Sequence, residues 1–234
     1  MNATALITGG TGGLGSAVVE EFRAHGWRVI APHRHTPDPT ATNPSPAGAG
    51  ELVTLEADLF EAGDVSACVQ AACSSDRHPL AAVVNLIGGF SSGGRVHETP
   101  VEDFERQFRL NLRATYLVCA AALPALLTRG EGAIVCVGTR ATERPFPGAA
   151  GYISAKAALL GLVDALNAEY GADGIRTNAV LPGVIDTPAN RSALPDADRS
   201  GWVPPAQIAS VIRFLCSPES APTSGARVPV YGRA

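Results

Sequence analysis

The stretch Ala3-Thr4-Ala5-Leu6-Ile7-Thr8-Gly9-Gly10-Thr11-Gly12-Gly13-Leu14-Gly15-Ser16-Ala17-Val18-Val19 decides how the rest of the chain is read. Ala3–Thr8 is a short apolar run, the pattern of a strand buried on both faces. A helical pattern follows over about residues 13–25. Between the two lies Thr8-Gly9-Gly10-Thr11-Gly12-Gly13-Leu14-Gly15. Glycines there let the backbone turn tightly and approach a pyrophosphate. The helix N-terminus then offers N–H donors and the positive end of its dipole. The spacing T-G-x3-G-x-G differs from the G-x-G-x-x-G fingerprint, and a plain tight turn would use the same letters. The strand–turn–helix setting is what points to a dinucleotide site.

Outward from this unit the rhythm repeats. Strands are expected at Arg28–Ala31, Glu51–Ala57, Ala81–Ile87, Ala133–Gly138, Arg176–Leu181 and Arg227–Val230. Helical sequence runs to about Ser74, then over Val101–Thr128, about Tyr152–Tyr170 and Pro205–Leu215. Strands alternating with helices imply right-handed parallel crossovers and a sheet covered on both faces. The expectation is one doubly wound α/β domain over residues 1–234. Two segments break the rhythm. Thr36–Gly50, with Pro37, Pro39, Pro44 and Pro46, reads as a mobile loop. Pro188–Val203 reads as a lid over a site.

Composition narrows the function. Apolar residues make up 46% and charged residues 17% of 234, too apolar for a disordered chain. A net charge of −4 without a basic block argues against a nucleic-acid surface. The longest apolar run, Tyr116–Leu127, has 12 residues and contains Pro124. A bilayer span needs about 20, so no membrane helix is expected. Met1-Asn2-Ala3-Thr4 has no basic n-region, and the expected location is cytoplasmic. Cys68, Cys73, Cys119, Cys136 and Cys216 are scattered in apolar sequence. They read as reduced, buried thiols with no zinc spacing and no metal site.

Of the 18 basic residues, 17 are Arg and one, Lys156, is Lys. An otherwise Arg-only chain keeps a compact ammonium at one place, where a planar guanidinium would not serve. Lys156 closes the run Tyr152-Ile153-Ser154-Ala155-Lys156, and residues four apart on a helix share a face. A tyrosine titrates near pH ~10. A nearby cation favours the phenolate and makes the residue a usable acid/base.

With these residues in hand, the chain resembles the short-chain dehydrogenase/reductase family over nearly its whole length. The glycine motif of that family matches Thr8, Gly9, Gly13, Leu14 and Gly15. Its Asp after the third strand matches Asp58, beside Leu59, and implies an adenine contact. Its N-N-A-G matches in part at Asn85-Leu86-Ile87-Gly88, and its helix Asn matches Asn111. Its hydroxyl residue, 13 before the Tyr, is Thr139 rather than Ser. Its Y-x3-K matches Tyr152 and Lys156, and its P-G with following Thr matches Pro182, Gly183 and Thr187. The resemblance implies a Rossmann fold, a nicotinamide cofactor and catalysis by Tyr152, Lys156, Thr139 and Asn111. In that scheme Lys156 lowers the Tyr152 pKa and Asn111 anchors a water. It also implies a homodimer or homotetramer associating through the two long helices.

A local likeness to dihydropteridine reductases is carried by Leu181–Arg191, Leu194–Asp198, Trp202 and Gly88-Gly89-Phe90. Those enzymes lack the hydroxyl residue and the helix Asn that Thr139 and Asn111 supply here, so a carbonyl substrate is at least as well supported as a quinonoid dihydropterin. A catalytically silent nucleotide-binding protein on the same fold is the rival from another class. A related lyase or epimerase is a third reading. For cofactor choice, the second strand ends Val29-Ile30-Ala31-Pro32-His33-Arg34, with no acid for a ribose 2′-hydroxyl before Asp38. Arg34 suits a 2′-phosphate. The expectation is NADP, with NADPH preferred over NADH.

Overall fold

The computed structural model describes residues 2–34 and 48–233. Most of the proline-rich stretch read as a mobile loop therefore lies outside the described residues. Seven strands form one sheet: β1 Thr4–Thr8, β2 Arg28–His33, β3 Leu52–Glu56, β4 Leu80–Asn85, β5 Gly132–Val137, β6 Ile175–Pro182 and β7 Arg227–Val230. Their order is β3-β2-β1-β4-β5-β6-β7, and every pairing is parallel. The order reverses between β1 and β4, which makes the crevice beyond their carboxyl ends the expected ligand site.

Helices cover both faces. The first face is packed by α2 (Ala62–Ala72), α4 (Ala114–Arg129) and α5 (Ala150–Tyr170), and the second by α1 (Gly15–Ala24) and α7 (Pro205–Cys216). The strand sequences are apolar on successive residues because both faces are buried: all five residues of β1 lie inside. Leu6, Ile30, Val83 and Ile134 point to the first layer, and Ala5, Ile7, Val29 and Val135 to the second. This alternation is the two-residue period of a strand.

The long helical stretch differs from its expectation. It begins as α3 (Val101–Phe108), passes through a π-helical segment at Arg109–Arg113, and continues as α4. Val101–Arg129 is 29 residues long, and its most apolar 18-residue window, at a mean hydropathy of 1.5, is apolar enough to cross a bilayer, which the 12-residue apolar run had not suggested. Its apolar side is instead packed on the domain, with Ala114, Val118, Ala122 and Leu126 buried against the sheet layer. Pro124 is tolerated within α4, which ends on Gly130 in the left-handed conformation (φ 72°).

One other expectation is corrected. Four of the five cysteines are buried, but Cys73, at the end of α2, is exposed. The Pro188–Val203 segment contains a short helix, α6 (Pro188–Ala193), capped by the Thr187 hydroxyl accepting from Asn190 N. Its ends are brought together by a bridge between Ile185 and Val203.

Candidate active site

The glycine turn leaves β1 and enters α1 as a tight, crowded bend. Gly9 has φ +68°, and Gly12 N donates to Gly9 O at 3.0 Å. A Cβ on Gly15 would stand 1.9 Å from Gly9 O, so only glycine closes this turn. The Thr8 hydroxyl donates to Val84 O at 3.4 Å and accepts from Leu86 N at 3.2 Å. It thereby ties the ends of β1 and β4 at the switch point. Leu14 is the residue from which α1 starts. Across the crevice, a Cβ on Gly13 would meet Thr187 Cγ2 at 2.8 Å, so the turn and the loop after β6 are in contact. Pro182 ends β6, and Gly183 N donates to Val230 O at 3.1 Å.

Beyond β4 and β5 the acid/base residues converge. A Cβ on Gly88 would lie 2.7 Å from Asn111 Oδ1 and 3.1 Å from Lys156 Nζ. The loop after β4, the π-helical segment and α5 therefore meet at this glycine. Asn111 is fully buried. Its Oδ1 accepts from Gly89 N at 3.1 Å, and its Nδ2 donates to Gly89 O and Gln107 O, both at 3.1 Å. Asn111 lies in the π-helical segment, and its side chain bridges the loop after β4 and the preceding turn of its own helix. Asn111 thus clamps Gly89, and Gln107, four residues earlier and also buried, supports it. Linear reading missed Gln107, although its i,i+4 spacing from Asn111 was the available signal.

Lys156 is 5% exposed and donates to Val137 O at 2.8 Å. Burial pulls its pKa down from 10.5 to about 8. The Tyr152 phenol is raised by burial, and the opposing contribution is a hydrogen bond with the Thr139 side chain. In the free chain it is therefore the threonine, and not the lysine, that counters the effect of burial on the phenol. Thr139 leaves β5 extended and caps the following turn, accepting from Ala141 N at 3.3 Å. Asn85 is placed differently from the other residues of its motif. It is buried, and its Nδ2 donates to the sulfurs of Cys119 at 3.4 Å and Cys136 at 3.8 Å, turned into the layer under the sheet end.

The far end of the crevice lies beyond β2 and β3. A cavity of about 420 Å³ is lined by Arg34, Glu56, Ala57, Asp58 and Asp64. Arg34 Nε is 3.6 Å from Asp58 Oδ1, and its guanidinium lies 5.2 Å from the centre of the Phe60 ring. Asp58 Oδ1 also accepts from Phe60 N at 3.1 Å, while Leu59 is buried in the core. Parallel register places Glu56 of β3 beside His33 of β2, so an acid absent from the second strand arrives from its neighbour. His33 Nδ1 is buried without a partner among the described residues.

The switch point of the sheet and the Thr139, Tyr152 and Lys156 side chains beside the buried Asn111 form the candidate site. The short chain dehydrogenase family model matches residues 3–198, and this chain belongs to that family. It is 33% identical over 246 residues to 2-(R)-hydroxypropyl-CoM dehydrogenase of Xanthobacter autotrophicus, covering 99% of this chain and 98% of that one. It is 30% identical over 242 residues to 4-formylbenzenesulfonate dehydrogenase of Comamonas testosteroni, covering 97% and 96%. The solved structure of ElxO with NADP bound superposes with a TM-score of 0.90 at 24% identity, covering 99% and 98%, a likeness of fold.

Proposed function

We propose that this oxidoreductase interconverts a carbonyl compound and its alcohol with NADP(H), preferring NADPH over NADH. The observation that carries the reading is the convergence of Thr139, Tyr152, Lys156 and Asn111 on one end of the sheet, with a buried lysine that donates to the Val137 carbonyl. The relatives named above act, by their names, on an alcohol and on an aldehyde.

The crevice fits a dinucleotide. The Gly9–Gly15 bend and the Gly13–Thr187 and Gly88 approaches leave no room for added Cβ atoms, and His33 Nδ1, without a partner among the described residues, sits at the adenosine end. Thr8, Gly9, Gly13, Leu14 and Gly15 would hold the pyrophosphate. Asp58, Leu59 and Arg34 would hold the adenosine part. Gly88, Pro182, Gly183 and Thr187 would line the nicotinamide part, whereas the Asn85 amide, expected there, is turned toward Cys119 and Cys136. When bound, the cofactor supplies or accepts the hydride. Tyr152 gives a proton to the substrate oxygen or takes one from it, and Thr139 holds that oxygen or the phenol by a hydrogen bond. Lys156 places a positive charge beneath them. Asn111 keeps the Gly88–Gly89 loop in position. The preference for NADPH rests on Arg34 and on the absence of an acid at His33; Glu56 and Asp58 moderate it.

A quinonoid dihydropterin belongs among the substrates to try, because Gly88-Gly89-Phe90 and the loop after β6 carry that likeness. The test is NADPH oxidation by wild type and Tyr152→Phe over a panel of carbonyl compounds with the dihydropterin included. Turnover that needs Tyr152 is expected. Turnover of none of them, with the dinucleotide still bound, would favour the silent nucleotide-binding reading.

The protein is further proposed to act in the cytoplasm as a symmetric homo-oligomer joined through α4 and α5. Tyr116 and Leu127 on α4 are exposed, and Gly161 on α5 faces open space. Light scattering showing only a 24.0 kDa species would contradict this.

A further inference from the structure

Tyr152 has aromatic neighbours that the acid/base chemistry does not use. Phe90, on the loop after β4, meets the Tyr152 ring edge-on, with centroids 5.2 Å apart and planes at 89°. Phe146, on the segment between β5 and α5, lies 6.1 Å from Phe90 at 53°. Both pairs fall within the 4.5–7 Å spacing and the tilted geometry that aromatic rings prefer. Yet Phe90 is 60% exposed and Phe146 44% exposed. Two large aromatic side chains from neighbouring loops are thus left largely in water beside Tyr152. Elsewhere on the surface single exposed apolar side chains are ordinary. Here Phe146 packs on Phe90, and Phe90 on the residue that must touch substrate.

We propose that Phe90 and Phe146 form an aromatic clamp that selects carbonyl compounds bearing an aryl ring on the carbonyl carbon. The proposal rests on the carbonyl-reductase reading and names its substrate class. A carbonyl oxygen within hydrogen-bond reach of the Tyr152 hydroxyl has its substituent beside the Phe90 ring, because Phe90 contacts Tyr152 directly. A flat ring placed there buries the exposed surfaces of Phe90 and Phe146 and extends the existing tilted stack. A saturated ring of the same size buries similar area but lacks the edge-to-face attraction. Phe90 and Phe146 are therefore specificity residues, set apart from the proton-transferring pair.

The probes are acetophenone, cyclohexyl methyl ketone and butanone. Binding is measured by ligand-observed NMR on the full chain with and without NADP⁺, and turnover by NADPH oxidation. Acetophenone is expected to bind and react about tenfold better than cyclohexyl methyl ketone, and better still than butanone. Phe90→Ala should cut the ratio of acetophenone to butanone kcat/KM by about tenfold or more, and Phe90→Tyr should largely keep it. Phe214→Ala, an exposed phenylalanine on α7, should leave that ratio where it was. Equal affinities for acetophenone and cyclohexyl methyl ketone, or an unaltered ratio in Phe90→Ala, would overturn the clamp. Phe90-dependent binding of acetophenone without any turnover would instead leave the clamp standing and sink the reductase reading.

Discussion

At the β4–β6 end of the crevice, Lys156 and Asn111 are buried, and each polar group is tied to backbone from another element: Val137 O, Gly89 N and Gly89 O. At the β2–β3 end, Arg34 and Asp58 face each other at 3.6 Å with side chains 58% and 42% exposed. The difference teaches where rigidity has been built. Buried hydrogen bonds cannot be traded for water without leaving an unsatisfied group, so the acid/base residues have little freedom to move. An exposed ion pair is worth ~0–1 kcal/mol and is screened by salt, so Arg34 can leave Asp58 for a phosphate at little cost. The β4–β6 end is held rigidly, and the β2–β3 end is adjustable.

Removing the group at the rigid end should have the largest effect. Tyr152→Phe is expected to lower kcat by ~10²–10⁴-fold, the range of a general acid/base, while dinucleotide affinity stays within a few-fold. A folded Tyr152→Phe with wild-type kcat would break the assignment.

A smaller but still large effect is expected from crowding that end without touching its chemistry. Gly88→Ala puts a methyl group 2.7 Å from Asn111 Oδ1 and 3.1 Å from Lys156 Nζ. Overpacking of this kind costs ~1–3 kcal/mol. The expected result is a lowered Tm and a kcat/KM reduced by ~10–100-fold; unchanged values would show that the loop after β4 yields easily.

Lysine titration sharpens the comparison further. Because the folded pKa of Lys156 is about 8 against an ordinary 10.5, the unfolded chain binds more protons between these values. This residue therefore makes stability rise with pH from about 8 to 10.5, and Lys156→Met should abolish that contribution in denaturation series. If the charged form is the one that works, kcat/KM falls above pH about 8, and Lys156→Arg, which cannot titrate there, loses that limb along with most of its activity. A pH profile identical in wild type and Lys156→Arg would remove Lys156 from the site.

The smallest effect belongs to the exposed end. A hydrogen bond to a charged group contributes ~1.5–3 kcal/mol when well formed. Arg34→Ala is accordingly expected to weaken NADPH by about tenfold with NADH little changed, an effect that shrinks in high salt. His33→Asp should move preference toward NADH. A wild-type preference for NADH would show instead that Glu56, brought in by register, governs the ribose.

Most of the architecture was legible in the chain. Both faces of the sheet are covered, so its strands appear as short apolar runs, and all seven fall where those runs lie. The glycine bend, Tyr152 and Lys156 were legible because turn sterics and i,i+4 spacing are local. Asn is a poor residue for a helix interior, and Asn111 sits in a π-helical segment that sequence period could not distinguish from the helix around it.

What sequence determined by itself is local: strand–turn–helix units, a bend only glycine can make, and two side chains on one helical face. Tertiary structure decided everything that depends on which strand lies beside which. It brought Glu56 next to His33, turned the Asn85 amide toward Cys119 and Cys136, and tied Lys156 to Val137. It also set Phe90 against Tyr152, 62 positions along the chain. Such contacts follow from parallel register and loop packing, which close only when the whole sheet has formed and which no local pattern of residues encodes.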